Sequence, residues 1–309
     1  MKAVLIRGFG GPEVLEYAEA PEPMPGPNDV VIEVHAASVN PVDCKMRAGQ
    51  VRQYGDFALP RILGRDFSGT IAAVGAGVSD LRPGDAVFGV ADRLRDGTHA
   101  ESHIVDAGLV AKKPRTLSHI SAAALGVAAA SALAALETTA PVEAGARVLV
   151  HAGAGGVGHY AIQFARRKGA HVIATARAEN HEFVKSLGAQ EAIDYTAVDF
   201  TSAANDCDVV LDTLGGEVHA RSMARLKAGG TLVYLNAAPL PAGAGRSDIR
   251  VVNAPVKAGR AAMERIGQLA ADGVLKPHVS ATFPLERAAE AYAMIQTGRT
   301  RGKIVLTVR

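Results

Sequence analysis

VLVHAGAGGVG, residues Val148 to Gly158, joins a short apolar run to a glycine cluster at Gly153, Gly155, Gly156 and Gly158. Val148 to Val150 read as a buried strand. From Val157 to Lys168 the residues Val157, Ala161, Phe164 and Ala165 recur at helical spacing, and Gly169 closes the helix. A strand that turns through glycines into a helix brings bare backbone and the free N–H groups of the helix start to one point, which is what a dinucleotide's pyrophosphate requires. A glycine-rich turn can also serve close packing alone. Here the strand before it and the helix after it are both present, so Gly153, Gly155, Gly156, Val157 and Gly158 read as a nucleotide-binding loop.

Around this loop, between Arg147 and about Asp272, strands alternate with helices. Val148 to His151, His171 to Thr175, Ala192 to Tyr195, Asp208 to Asp212, Thr231 to Leu235 and Ile249 to Asn253 form six strand candidates, predicting a doubly wound parallel sheet of the α/β class. Gly188 after FVKSLG and Gly229-Gly230 after RLKAGG read as helix stops. From Met1 to about Lys113, short apolar stretches lie between glycine and proline clusters such as PEPMPGPND, the pattern of a compact, mostly antiparallel β domain. An alanine-rich helix, SHISAAALGVAAASALAALETT, capped by Ser118 and followed by Pro141, bridges into the second domain. VSATF and KIVLTV, strand-like runs around AAEAYAMIQ, return to the first. The expected boundaries are 1–121 with 273–309 for the β-rich domain and 122–272 for the nucleotide domain. Ala237 to Ser247 reads as a surface loop.

The 309 residues are 48% hydrophobic and 21% charged, the composition of an ordinary globular protein with room for two domains. The net charge of +2, from 33 basic and 31 acidic residues, leaves no footprint for nucleic acid or an anionic membrane. Cys44 and Cys207 are the only cysteines and form no C-x-x-C pair, which speaks for reducing cytoplasm and against a cysteine-rich zinc lobe. No apolar run reads as long enough to span a bilayer, and the N-terminus, MKAVLIRG, reads as a strand rather than an export signal.

VNPVDCKMRAG (Val39 to Gly49), PRILGRDFSGTIAAVG (Pro60 to Gly75), RPGDAVFGV (Arg82 to Val90), NHEFVKSLGAQEAIDY (Asn180 to Tyr195), LDTLGG (Leu211 to Gly216) and GKIVLTV (Gly302 to Val308) occur in this order with the glycine loop. Together they resemble the medium-chain dehydrogenase/reductase superfamily, in its zinc-independent quinone oxidoreductase, or zeta-crystallin-like, branch. The resemblance covers nearly the whole chain. It implies a GroES-like β domain built from both chain ends, a Rossmann domain between them and an active cleft at their junction. It also implies a homodimer paired through the edge of the Rossmann sheet, where Ile249 to Asn253 would otherwise be an exposed edge.

Alcohol dehydrogenases of this superfamily hold a catalytic zinc with a cysteine and with the histidine of a G-H-E stretch. The corresponding positions here are Asn40 and Arg65, which supply neither thiolate nor imidazole. His99 and His103 are close in sequence, but in a strand-like context they need not converge, and they read as surface or hydrogen-bonded histidines. Without a metal to polarise an oxygen, quinones and α,β-unsaturated carbonyls become the favoured acceptors: hydride adds at carbon while charge spreads to the carbonyl oxygen, needing only hydrogen-bond donors and a proton source.

Asn40 and Lys45 lie in a motif resembling the family's N-P-x-D-x-K-x-R-x-G, whose polar side chains border the nicotinamide and its ribose. Asn40 is a candidate donor to the reacting carbonyl and Lys45 a candidate contact to a cofactor hydroxyl or phosphate; Asp43 and Arg47 read as structural. Tyr54 is a candidate to stack on a flat acceptor or supply a proton. Ser131 falls where relatives carry a threonine that reaches the cofactor, with Gly126 and Leu133 replacing a frequent proline and tryptophan. After the second strand of the nucleotide domain, Arg177 suits a 2′-phosphate, and Tyr195 resembles a family residue beside it, which favours NADPH. The leading expectation is an NADPH-dependent quinone or enone reductase. The alternatives are a carbonyl or alcohol dehydrogenase and a non-catalytic NADPH-binding structural or regulatory protein.

Overall fold

A computed structural model describes residues 1–50, 58–235 and 246–309, so Tyr54 and most of the Ala237 to Ser247 loop lie outside the described residues. The chain forms two compact units, Met1–Val127 together with Ala258–Arg309, and Ala128–Lys257.

In the first unit the strands are β1 (Lys2–Ile6), β2 (Glu16–Glu19), β3 (Asp29–Val39), β4 (Arg61–Ile62), β5 (Asp66–Val74), β6 (Ala86–Val90), β7 (Ser102–Asp106) and β8 (Val110–Lys112). β3 is the spine of the larger sheet, pairing antiparallel with β5 along most of its length and with β7 over its first half. Its run of Val, Ile and Ala is buried almost throughout, because it has neighbours on both edges and a core beneath. Helix α1 (Pro41–Arg47) follows directly. Asn40 is its N-cap, the Asp43 carboxylate accepts the Asn40 amide at 2.7 Å, and Pro41 loses no bond in the first turn.

Helix α2 (His119–Leu133) starts where expected, with the Ser118 hydroxyl accepting the Ser121 amide at 3.1 Å. It breaks at Gly126, and the Asp66 carboxylate takes the Val127 amide at 2.7 Å, capping the second half from a distant strand. A Cβ on Gly126 would lie 2.2 Å from the Asp66 carboxyl carbon, so only glycine lets the carboxylate in. The expectation that no apolar run reaches bilayer length needs correction. His119–Thr139 is a 21-residue helical stretch of mean hydropathy 1.7, long and apolar enough by composition, but 72% of its most apolar window is buried within the protein. A helix apolar all round marks a core helix as readily as a membrane span.

The second unit contains β9 (Arg147–Val150), α3 (Gly158–Arg167), β10 (His171–Thr175), α4 (His181–Ser186), β11 (Glu191–Ile193), α5 (Phe200–Ala203), β12 (Cys207–Asp212), α6 (Gly216–Met223), β13 (Leu226–Tyr234) and β14 (Arg250–Asn253). The six strands are all parallel in the order β11-β10-β9-β12-β13-β14, with β14 at an edge. This is the doubly wound sheet expected from the alternation, with its switch point between β9 and β12. One local expectation fails: Gly229-Gly230 does not stop a helix. α6 ends at Met223, and the two glycines fall inside β13, where the register against β12 jumps between Cys207 and Val209 and Gly229 takes φ +78°. The pair makes a bulge.

The chain then gives α7 (Arg260–Ala271), β15 (Val279–Pro284), α8 (Ala288–Gln296) and β16 (Lys303–Thr307). β16 pairs antiparallel with β3 and parallel with β15, so the tail completes the first unit's sheet as expected. The crossing comes earlier than the expected 273, because α7 packs on β6 and β8. Its Gly267 lies against Phe88, and Arg260 bonds Asp80 and the Ala107 carbonyl.

Candidate functional site

At the head of β9 the glycine loop is held by its neighbours. Thr175 at the end of β10 receives the Gly153 amide on its carbonyl at 2.8 Å and the Ala152 amide on its hydroxyl at 3.2 Å. Ala152 itself is left-handed at φ +50°, a conformation that needs support outside glycine. The glycines differ in purpose. A Cβ on Gly153 would meet the Ala174 methyl at 2.8 Å, and one on Gly158 would meet the Ala152 carbonyl oxygen at 2.2 Å, so both are required for α3 to close on the loop. A Cβ on Gly155 would have only Ala152 atoms within 4 Å, leaving its other side open. Among the described residues, the amides of Gly156, Val157 and Gly158 have no hydrogen-bond partner, and Val157 caps α3 without a side-chain bond. Unspent donors at the positive end of a ten-residue helix fit a pyrophosphate.

At the same carboxyl edge of the sheet, Arg177 follows β10 and Tyr195 follows β11. The Arg177 guanidinium donates through Nε to the Tyr195 hydroxyl at 3.1 Å, and Tyr195 is 51% exposed. The terminal nitrogens of Arg177 have no partner among the described residues, so the fork is presented to solvent, already oriented. The structure thus brings the loop, Arg177 and Tyr195 to one edge. Ser131 is buried on α2. In the first unit Lys45, like Pro41, is exposed on an α1 whose Asp43, Cys44, Met46 and Arg47 are buried.

Asn40, 4% exposed, is enclosed in a polar cluster. Lys303 donates to its Oδ1 at 2.6 Å, and its Nδ2 donates to Asp66 at 2.9 Å, an arrangement that fixes which end of the amide is oxygen. Asp66 also accepts from Ser38 at 2.5 Å and faces the Lys303 ammonium at 3.5 Å. Burial pushes the Lys303 ammonium below its usual range and the neighbouring Asp43 carboxyl up to about 7. Arg65 is spent on the Ala91 carbonyl at 2.8 Å. An amide already bonded to an ammonium, beside a guanidinium, does not make a donor set for a divalent metal. No group of three or more His, Cys, Asp or Glu among the described residues is arranged to hold one.

His99 and His103 are buried rather than at the surface. His99 contacts the Tyr292 hydroxyl at 3.1 Å and the Ser38 carbonyl at 3.4 Å, and burial drives the two rings down to about 4 and about 3 respectively. Asp43 and Arg47 are structural as read: one caps α1, and the other donates to the Gly10 carbonyl and Gln296. Sequence reasoning passed over Lys303 and Asp66, although a lysine opening the apolar run KIVLTV was a visible signal that one cation faces inward.

A parallel sheet in this order, with a glycine turn and unbonded helix amides at its switch point, is the architecture of dinucleotide-dependent oxidoreductases. Residues 26–115 match the alcohol dehydrogenase GroES-like domain and residues 187–306 the zinc-binding dehydrogenase family. The chain is 32% identical to the chloroplast envelope quinone oxidoreductase homolog of Arabidopsis thaliana, over 99% of this chain and 98% of that protein. It is 34% identical to the NADPH-dependent alkenal/one oxidoreductase of the same plant, a chloroplastic protein, over 99% of this chain and 79% of the relative. The solved quinone oxidoreductase from Coxiella burnetii superposes with a TM-score of 0.93 at 37% identity, covering 100% of this chain and 99% of that one. The chain belongs to the medium-chain dehydrogenase/reductase superfamily, in its quinone oxidoreductase branch.

Proposed function

We propose that this protein is an NADPH-dependent reductase of quinones and α,β-unsaturated carbonyls that works without a metal ion. The observation that carries the metal-free reading is the Lys303 ammonium 2.6 Å from Asn40 Oδ1: a fixed buried cation stands where a metal ligand would be needed. Bound NADPH supplies the hydride. The amides of Gly156, Val157 and Gly158 hold its pyrophosphate, Arg177 and Tyr195 its 2′-phosphate, and Lys45 and Ser131 its hydroxyls or remaining phosphate oxygens. Asn40 keeps one amide N–H beyond its bond to Asp66, and that N–H is the donor to the acceptor's carbonyl oxygen as negative charge develops. Tyr54, outside the described residues, is the candidate stacking surface or proton source from the sequence.

The protein is assigned to the reducing cytoplasm, a reading supported by two buried free cysteines, and to a homodimer paired through β14, the sheet edge that would otherwise stand open. The test is NADPH oxidation with 1,4-benzoquinone, an α,β-enone and a simple aldehyde, each after chelator treatment and each repeated with NADH. Chelator-resistant turnover of the first two is the expected result. Activity confined to the aldehyde and abolished by chelation makes the protein a metal-dependent dehydrogenase instead, and tight NADPH binding without turnover makes it a structural or regulatory binder.

A further inference from the structure

Beneath the glycine loop lies a chain of hydrogen bonds whose direction can be worked out from its Ser222 end. Ser222 on α6 donates its single hydroxyl proton to the Val218 carbonyl at 2.6 Å. Its oxygen, 2.9 Å from His151 Nε2, must therefore accept, so Nε2 carries the ring proton. Burial drives His151 down to about 4, so at neutral pH the ring is uncharged and Nδ1 is bare. Nδ1 lies 3.3 Å from the Thr175 hydroxyl, which must then donate to it and keep its lone pairs for the Ala152 amide at 3.2 Å. The sequence of donors runs Ala152 N–H to Thr175 to His151, and from His151 through Ser222 to Val218. The backbone of His151 is bound as well, its N–H to the Leu211 carbonyl at 3.1 Å and its carbonyl to the Thr213 hydroxyl at 3.4 Å. Ring and backbone together, His151 thus ties the ends of β9, β10 and β12 to α6, and Thr175, on which its ring bears, holds the amide of Ala152, the left-handed residue that opens the loop.

We infer that His151, in its Nε2–H form, is a positioning residue for the nucleotide: through Thr175 it holds Ala152 left-handed and so aims the free amides of Gly156 to Gly158 at the pyrophosphate. This rests on the NADPH reading above. Thr175 has a second bearing on the cofactor, since it stands two residues before Arg177 on the same strand end. The residue that holds the loop and the residue that takes the 2′-phosphate therefore leave the same strand end.

The experiment compares the wild type with Thr175→Val, which keeps shape but removes the hydroxyl, and Thr175→Ser, which restores it. NADPH dissociation constants are measured by fluorescence titration, folding by thermal unfolding, and the His151 tautomer by ¹⁵N chemical shifts of the labelled wild-type protein. The expected result is an Nε2–H tautomer, a dissociation constant raised about tenfold or more in Thr175→Val with kcat at saturating NADPH within about twofold of wild type, and recovery in Thr175→Ser. An Nδ1–H tautomer, or a folded Thr175→Val that binds NADPH as the wild type does, overturns the inference and leaves the NADPH reading intact. Should Thr175→Val fail to fold, a Thr175→Ser variant that folds but binds no better than tenfold below wild type also overturns it. A wild type that does not bind NADPH overturns the reading itself, and this role with it.

Discussion

Gly158→Ala and Gly155→Ala separate the two reasons a nucleotide loop uses glycine. At Gly158 the added Cβ falls 2.2 Å from the Ala152 carbonyl oxygen and 2.8 Å from the Gly153 Cα, both backbone atoms that no rotamer change can move. Relief requires the loop or the start of α3 to shift by roughly 1 Å, at an overpacking cost of about 1–3 kcal/mol. That shift moves the amides off the phosphate, so NADPH affinity should fall about 10- to 100-fold while the melting temperature also falls. At Gly155 the added Cβ meets the Ala152 carbonyl at 3.2 Å, a contact relieved by a few tenths of an ångström. Stability should stay within about 0.5 kcal/mol of wild type. Affinity should still drop about tenfold, because the methyl stands on the open side against which the pyrophosphate is read to lie. Thermal unfolding and fluorescence titration with NADPH measure both quantities on the same samples. A Gly158→Ala protein with wild-type stability and affinity would refute the packing argument, and a Gly155→Ala protein that binds NADPH normally would refute the placement of the phosphate.

Arg177→Ala should weaken NADPH binding by about tenfold or more and leave NADH binding within about twofold, because only the 2′-phosphate uses the fork; equal losses for both cofactors would sink that assignment. Lys303→Met should cost about 3–5 kcal/mol in urea unfolding by stranding the buried Asp66 carboxylate, with Lys303→Met/Asp66→Asn recovering part of it. A single variant within 1 kcal/mol of wild type would show that Asp66 does not depend on the ammonium. The Asp43 carboxyl is raised from 3.8 to about 7 by burial, so it binds its proton more tightly folded than unfolded. Its stabilising contribution is full below 3.8 and is lost as pH rises through about 7. Asp43→Asn removes this dependence, so its stability relative to wild type should improve between pH 5 and pH 8, by about 2.5 kcal/mol. The same difference from wild type at both pH values would contradict the raised carboxyl.

The glycine loop and the parallel sheet around it were legible because their signals are local. A buried strand, a glycine turn and an amphipathic helix each declare themselves within about a dozen residues, and all six strand candidates are found in the sheet. The pairing of Arg177 with Tyr195 was legible for a related reason: in a parallel sheet, residues just past neighbouring strand ends must share one edge. The errors arise where a local pattern has two tertiary solutions. RLKAGG reads as a helix stop, but the bulge in β13 uses the same glycine freedom. The alanine-rich stretch His119–Thr139 could satisfy a bilayer or a protein core, and only its surroundings chose the core.

The sequence by itself determined the order of elements and the glycine turn between β9 and α3, since these depend on residue identity at short spacing. Only the tertiary structure decided that α7 belongs with the β-rich unit, because an amphipathic helix can cover any apolar face and its choice rests on Phe88, Asp80 and Ala107, which are remote in sequence. It alone placed Lys303 against Asn40 and Asp66, and His151 between Thr175 and Ser222. Those are pairings of buried polar groups across long stretches of chain, and each is fixed by the cost of leaving a donor, acceptor or charge unmatched away from water.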